Sequence, residues 1–211
     1  MVLYHEGKSN VGLGIGGTVY GHANNIEIRE AIIKNYLQGK EQRPVDILGV
    51  NNLTIGKLEV YPSYESVGVN INVSGGRPYS QNIRIDSLYI EDVSNAIQVC
   101  NADDVSIKAT IRNWTKGIVY FVYKEGTTIS NSQIDITAYS DSEAERNPER
   151  FFQFESQVKN VKLSGHLTKT NIKRNLVAAP FYIRNSINHL DIDVSDLEYD
   201  GYNRPAKINW K

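Results

Sequence analysis

The chain has one cysteine, Cys100, one methionine, no apolar run long enough to cross a bilayer, and almost no net charge. Each shortage removes a class of protein. A lone cysteine forms no internal disulfide, and a membrane helix needs about 18 consecutive apolar residues. Twenty-three Lys and Arg against 24 Asp and Glu leave a formal charge of −1, so no basic field holds a nucleic-acid backbone. Met1 to Lys8 lack the basic-then-apolar order of a secretion signal, so export would use a signal outside this sequence or another route. Helix formers are few, whereas Ile, Val, Asn, Ser and 13 Tyr are plentiful, a balance that favours strands and turns. With 211 residues, 40% hydrophobic and 22% charged, the chain is long enough for a full core and is expected to form one domain over 1–211.

The sequence repeats itself. An Asx-like residue followed by apolar, polar and apolar residues occurs at Asn25-Ile26-Glu27-Ile28, Asn52-Leu53-Thr54-Ile55, Asn82-Ile83-Arg84-Ile85, Asp104-Val105-Ser106-Ile107, Asn160-Val161-Lys162-Leu163 and His189-Leu190-Asp191-Ile192, with a weaker copy at Thr128-Ile129-Ser130-Asn131. The spacing, about 22 to 32 residues, suits a solenoid and is too irregular for leucine-rich or propeller repeats. Each unit continues with a second apolar pair, such as Leu58/Val60 or Leu88/Ile90, and then a third short strand. The third strands read Val45 to Leu48, Val69 to Asn72, Ile97 to Val99, Ile118 to Tyr123, Phe152 to Phe154, Phe181 to Ile183 and Lys207 to Asn209. Period-2 alternation turns every second side chain inward, and three strands per turn make a triangular coil. The predicted fold is all-β: a single-stranded right-handed parallel β-helix of about seven coils, with a partial one at Val11 to Tyr20 and no obvious caps. Ile28 to Leu37 has helical spacing but falls on the repeat register as strand. The six prolines sit in or beside the loops before third strands, where a missing ladder donor costs least. Exposed backbone at both ends of such a coil points to a piece of a longer β-helix or to completion by partner chains.

This register resembles the pectin lyase-like superfamily of parallel β-helices, which includes pectate lyases, polygalacturonases, alginate epimerases and bacteriophage tailspike or appendage proteins. The resemblance spans nearly the whole chain and is architectural, so it implies a fold that serves many functions. Gly12-Leu13-Gly14-Ile15-Gly16-Gly17 before the Asn25 strand is similar to a polygalacturonase stretch, but Leu13 stands where that family has histidine. Asp46-Ile47-Leu48 replaces its Arg-x-Lys pair, so the polygalacturonase reaction does not carry over.

Candidate site residues follow from the register. Alternation sets Asp46, Asn70, Asn72, Gln98, Gln153, Glu155, Tyr182 and Arg184 outward on the third-strand face. Of these, Asn70, Asn72, Gln98, Gln153, Tyr182 and Arg184, with Trp114 from a turn, form the expected substrate-binding set. Tyr61, Tyr64, Tyr79, Tyr139, Tyr199 and Tyr202 are further turn aromatics able to stack on sugar faces. Glycan hydrolysis requires two carboxylates about 5 to 9.5 Å apart. Asp46 and Glu155 are about four coils and nearly 20 Å apart at about 4.8 Å per coil, leaving Glu155 or Glu149 with an acid of the 140–150 loop. A lyase or epimerase requires a base and a cation beside a uronate carboxyl, types offered by Arg84, Asp86 and Lys108 on the first-strand face. The plainer alternative for these charges is a solvated ladder. Asp103 and Asp104 are read as turn residues equivalent to Asn51-Asn52. Histidine spacing fits no metal site, and no cofactor is expected.

The functional expectation is a tailspike- or appendage-type segment that binds bacterial surface polysaccharide, outside the cell or on a virion surface. Its expected partners are polysaccharide and either a homotrimer or flanking β-helix coils, without nucleic acid or membrane. A secreted polysaccharide lyase or glycoside hydrolase is the alternative, and a structural shaft a third.

Overall fold

A computed structural model describes residues 1–8, 10–35, 42–62, 66–73, 76–122, 128–141, 151–170, 180–184, 187 and 189–200. They form a parallel β-solenoid of about six turns without helices. The seventh predicted third strand, Lys207 to Asn209, lies outside the described residues. The strands are β1 (Val2–Gly7), β2 (Leu13–Gly16), β3 (Ala23–Asn35), β4 (Val45–Leu48), β5 (Val50–Tyr61), β6 (Val67–Asn72), β7 (Ser80–Val99) and β8 (Ala102–Phe121). There follow β9 (Thr128–Ser140), β10 (Phe152–Phe154), β11 (Gln157–Lys169), β12 (Phe181–Ile183), β13 (Leu190–Asp193) and β14 (Leu197–Asp200). One row runs β1-β3-β5-β7-β8-β9-β11-β13, and the third strands form a second row, β2-β4-β6-β7-β8-β10-β12. The helix-like spacing after Ile28 resolves as strand through Asn35.

The Asx residues bend the coil. Asn25, Asn52, Asn82, Asp104, Asn131 and Asn160 all have φ between +49° and +61°. Asn and Asp reach this left-handed region more readily than other side-chain-bearing residues, which explains the motif's first position. Their amides also bridge coils: Asn52 Nδ2 donates to Asn25 Oδ1 at 2.9 Å, Asn160 Nδ2 to Asn131 Oδ1 at 2.9 Å and Asn131 Nδ2 to Asp103 Oδ1 at 2.8 Å. Asp103 and Asp104 are therefore turn residues, as expected. The weaker copy has a different register: Asn131 leads it, and Ser132 fills the first apolar position, donating to the Ser130 carbonyl at 2.7 Å. Gly165 bends β11 at φ +118°, where an added Cβ would come within 1.9 Å of the Ile136 carbonyl oxygen. Pro44 and Pro180 lead into third strands as expected, whereas Pro78 instead precedes β7.

Inward columns fill the lumen. On the third-strand side Ile15, Ile47, Ile71, Val99, Phe121 and Phe154 stack coil upon coil. The filling changes along the axis. Aliphatic side chains give way at Phe121 to an aromatic stack, with Phe121 and Phe154 rings 4.9 Å apart and Phe152 and Phe181 rings 5.4 Å apart.

Candidate functional site

The outward third-strand column is continuous. Register pairs Gly14 with Asp46, then Asn70, Gln98, Tyr120, Gln153 and Tyr182 on successive coils. Tyr120 occupies the same alternate position as its neighbours, and a phenol between the apolar Val119 and Phe121 is the sequence signal that singles it out. Its hydroxyl donates to Glu155 Oε2 at 2.9 Å, and Gln153 Nε2 donates to Glu155 Oε1 at 2.6 Å. Arg184 Nη1 lies 3.8 Å from Glu155 Oε2. One carboxylate thus gathers a phenol, an amide and a guanidinium from three adjacent coils. Burial, helped by the hydrogen bond to Glu155, pushes the Tyr120 hydroxyl well above the usual phenol range. The phenol therefore remains a donor throughout the neutral range.

Two members of the expected binding set are corrected. Trp114 is fully buried and packs on Phe151 at 5.7 Å between ring centroids. Its large apolar ring fills the lumen at a bend of β8, so it presents no surface to a sugar. Asn70 points away from the lumen yet is also fully buried, its Nδ2 donating to Asp46 Oδ1 at 2.5 Å. Asn72 is half-buried, and its Oδ1 accepts the Val73 N–H at 2.6 Å. Asp46 and Asn72 are as accessible as Gln98, Tyr120, Gln153, Glu155 and Tyr182, and Arg184 is more exposed than any of them. Tyr199 also turns inward, packing on Phe151 and Phe181. Tyr61 ends β5 and donates to Glu59 at 3.0 Å, and Tyr139 lies exposed within β9. Glu149, Tyr64 and Tyr202 lie outside the described residues.

The first-strand face is built differently. Arg84, Asp86 and Lys108 come together in a groove of ≈ 410 Å³ that also takes in Ser106, Gln133 and Asp135. Arg84 Nε contacts Asp86 Oδ1, with 65% of the Arg84 side chain exposed. Lys108 stands opposite Asp135 in register, and Asp135 accepts the Ser164 hydroxyl at 3.1 Å. Further along, Lys162 pairs with Asp196 at 2.5 Å. These groups are exposed and charged, in contrast to the half-buried amides and phenols of the third-strand face.

Chemically, the third-strand face offers neutral donors and acceptors around a fixed carboxylate, suited to hydroxyl-rich ligands. Asp46 and Glu155 are four coils apart, about 19 Å at the usual strand spacing, which is too far for the paired carboxylates of glycan hydrolysis. Among the described residues, no group of three or more His, Cys, Asp and Glu is placed to hold a metal ion. No known protein family, curated protein or solved structure matches the chain.

Proposed function

We propose that this solenoid binds an extended polysaccharide along its third-strand face, in the manner of an appendage module of the pectin lyase-like type. One observation carries the reading: a straight outward column places Gln98, Tyr120, Gln153 and Tyr182 on four consecutive coils, with Glu155 and Arg184 beside it. A linear glycan presents a similar repeat of hydroxyls and flat sugar faces, which amides bond and tyrosines stack against. The test is incubation with immobilised capsular, teichoic and plant polysaccharides, reading retention and new chain ends together. Retention without new ends, lost on Tyr182→Ala and Arg184→Ala, supports the proposal. Retention unchanged by both substitutions, or no retention on any polysaccharide, defeats it.

A second reading, a polysaccharide lyase, rests on the groove shared by Arg84, Asp86 and Lys108. There Asp86 would take the proton alpha to a uronate carboxyl that Lys108 and Arg84 neutralise; as the C4–C5 double bond forms, the C4–O glycosidic bond breaks and water protonates the leaving oxygen. New unsaturated chain ends, abolished by Arg84→Ala and unaffected by Tyr182→Ala, would select this reading over the first.

A further inference from the structure

A second outward column runs along the solenoid beyond the Asx bend. On the first-strand side Arg84, Ser106, Gln133, Lys162 and Asp193 stand in register on β7, β8, β9, β11 and β13. At the usual strand spacing this column is about 19 Å long. Two hollows lie along it: the groove of ≈ 410 Å³ at Arg84 and Lys108, and another of ≈ 300 Å³ between Asn131, Asn160, Lys162 and Asp193. Gln133 lines both, so they form one trough parallel to the axis. The strands β7 and β8 each serve both columns, Arg84 with Gln98 and Ser106 with Tyr120, and buried Ile85, Val99, Ile107 and Phe121 fill the lumen between the two faces.

The trough is balanced in charge and open at its centre. Towards its ends Arg84 meets Asp86, and Lys162 meets Asp196. Between them Ser106, Lys108 and Gln133 are exposed, and their side chains have no hydrogen-bond or ion-pair partner among the described residues. Asp135 stands opposite Lys108. A hydroxyl, an ammonium, an amide and a carboxylate thus offer donors and acceptors together, which matches sugar hydroxyls, each of them both donor and acceptor. A densely charged chain would gain little, because Asp86 and Asp135 offset Arg84 and Lys108. We propose that this trough is a second glycan track, so that one chain bridges two strands of the same hydroxyl-rich polysaccharide. The inference rests on polysaccharide binding by the third-strand face and concerns binding without cleavage. With a packed lumen between the faces, one straight strand covers only one of them. Each face alone holds weakly, and a dense coating engages both, which strengthens retention by avidity.

Beads coated with capsular, teichoic or plant polysaccharide and mixed with the intact chain test this. Wild type is compared with a third-strand variant, Tyr182→Ala with Arg184→Ala, and a trough variant, Lys108→Ala with Gln133→Ala. Lys108 and Gln133 are exposed, so the trough variant keeps the fold. Wild type should clump the beads that retain it, and either variant should abolish clumping and lower retention about tenfold or more. In solution, a short oligosaccharide of the retaining polysaccharide should bind at about two per wild-type chain and about one per chain of either variant. Clumping or retention unchanged in the trough variant, or one oligosaccharide per wild-type chain, overturns the second track and leaves the third-strand reading in place. Clumping that survives the trough substitutions would come from an oligomer with one site per chain. New chain ends abolished by the trough substitutions overturn the inference in favour of cleavage. No retention of wild type on any coating overturns both readings.

Discussion

The third-strand sheet has two halves built on one register. In the first, from β2 to β6, the lumen side is aliphatic and the outward side is Asp46 and the buried Asn70. In the second, from β8 to β12, Phe121, Phe152, Phe154 and Phe181 stack inside while Tyr120, Gln153, Glu155, Tyr182 and Arg184 gather outside. Backbone pairing is the same in both. What differs is what the outward side chains meet: in the first half Asn70 donates to Asp46 alone, whereas in the second the Glu155 carboxylate gathers Tyr120, Gln153 and Arg184 while stacked rings fill the lumen behind the strand. A solenoid can thus change the chemistry of one face over part of its length without any change of topology.

The comparison can be broken from the inside. Phe154→Ala removes a stacked ring from a fully buried position and should cost about 3–5 kcal/mol in denaturant unfolding. It should also weaken polysaccharide retention at temperatures where the variant remains folded. Ile71→Ala, in the same column of the aliphatic half, should cost about 2–5 kcal/mol while leaving retention per folded molecule unchanged. Equal loss of retention in both variants would show that the halves do not differ in function.

Smaller changes sharpen it. Tyr120→Phe deletes the hydrogen bond to Glu155 and should destabilise by about 1.5–3 kcal/mol, the range for bonds to charged groups. It should also alter the alkaline limb of stability. The folded chain holds the Tyr120 phenol neutral above its ordinary range, and burial with the Glu91 hydrogen bond pushes Tyr89 up to about 12. A pKa raised on folding stabilises fully below the unfolded value near 10, and that stabilisation is lost as pH rises towards and through the folded value. Melting temperatures should therefore fall from about pH 10 upward, less steeply in Tyr120→Phe than in wild type. The smallest effect belongs to the first-strand face: Arg84→Ala breaks an exposed ion pair and should change stability by at most about 1 kcal/mol, fading in high salt.

The solenoid was legible because its signals are local. An Asx residue able to enter the left-handed region, then two-residue alternation, sets the bend and the inward positions within a few residues of sequence. The same alternation marked Glu155, Gln153, Tyr182 and Arg184 as sharing a face, and Arg84, Asp86 and Lys108 as sharing another. The misplacements have separate causes. Trp114 read as a turn aromatic because the bend at Asn113 falls inside what alternation alone treats as a straight strand. Asn131 was hidden by Ser132 in an apolar slot, a substitution that works only because its hydroxyl bonds the Ser130 carbonyl.

By itself, the sequence determined the class of fold, the order of the coils and the side of the sheet to which most side chains point, since these depend on backbone dihedrals and short-range alternation. Only the tertiary structure decided that Asn70 is buried although it points outward, that Trp114 belongs to the core, and that Tyr120, Gln153 and Arg184 converge on Glu155. Those outcomes depend on how coils of unequal length stack, bringing residues from separate coils within hydrogen-bonding distance, and no local period along the chain encodes that distance.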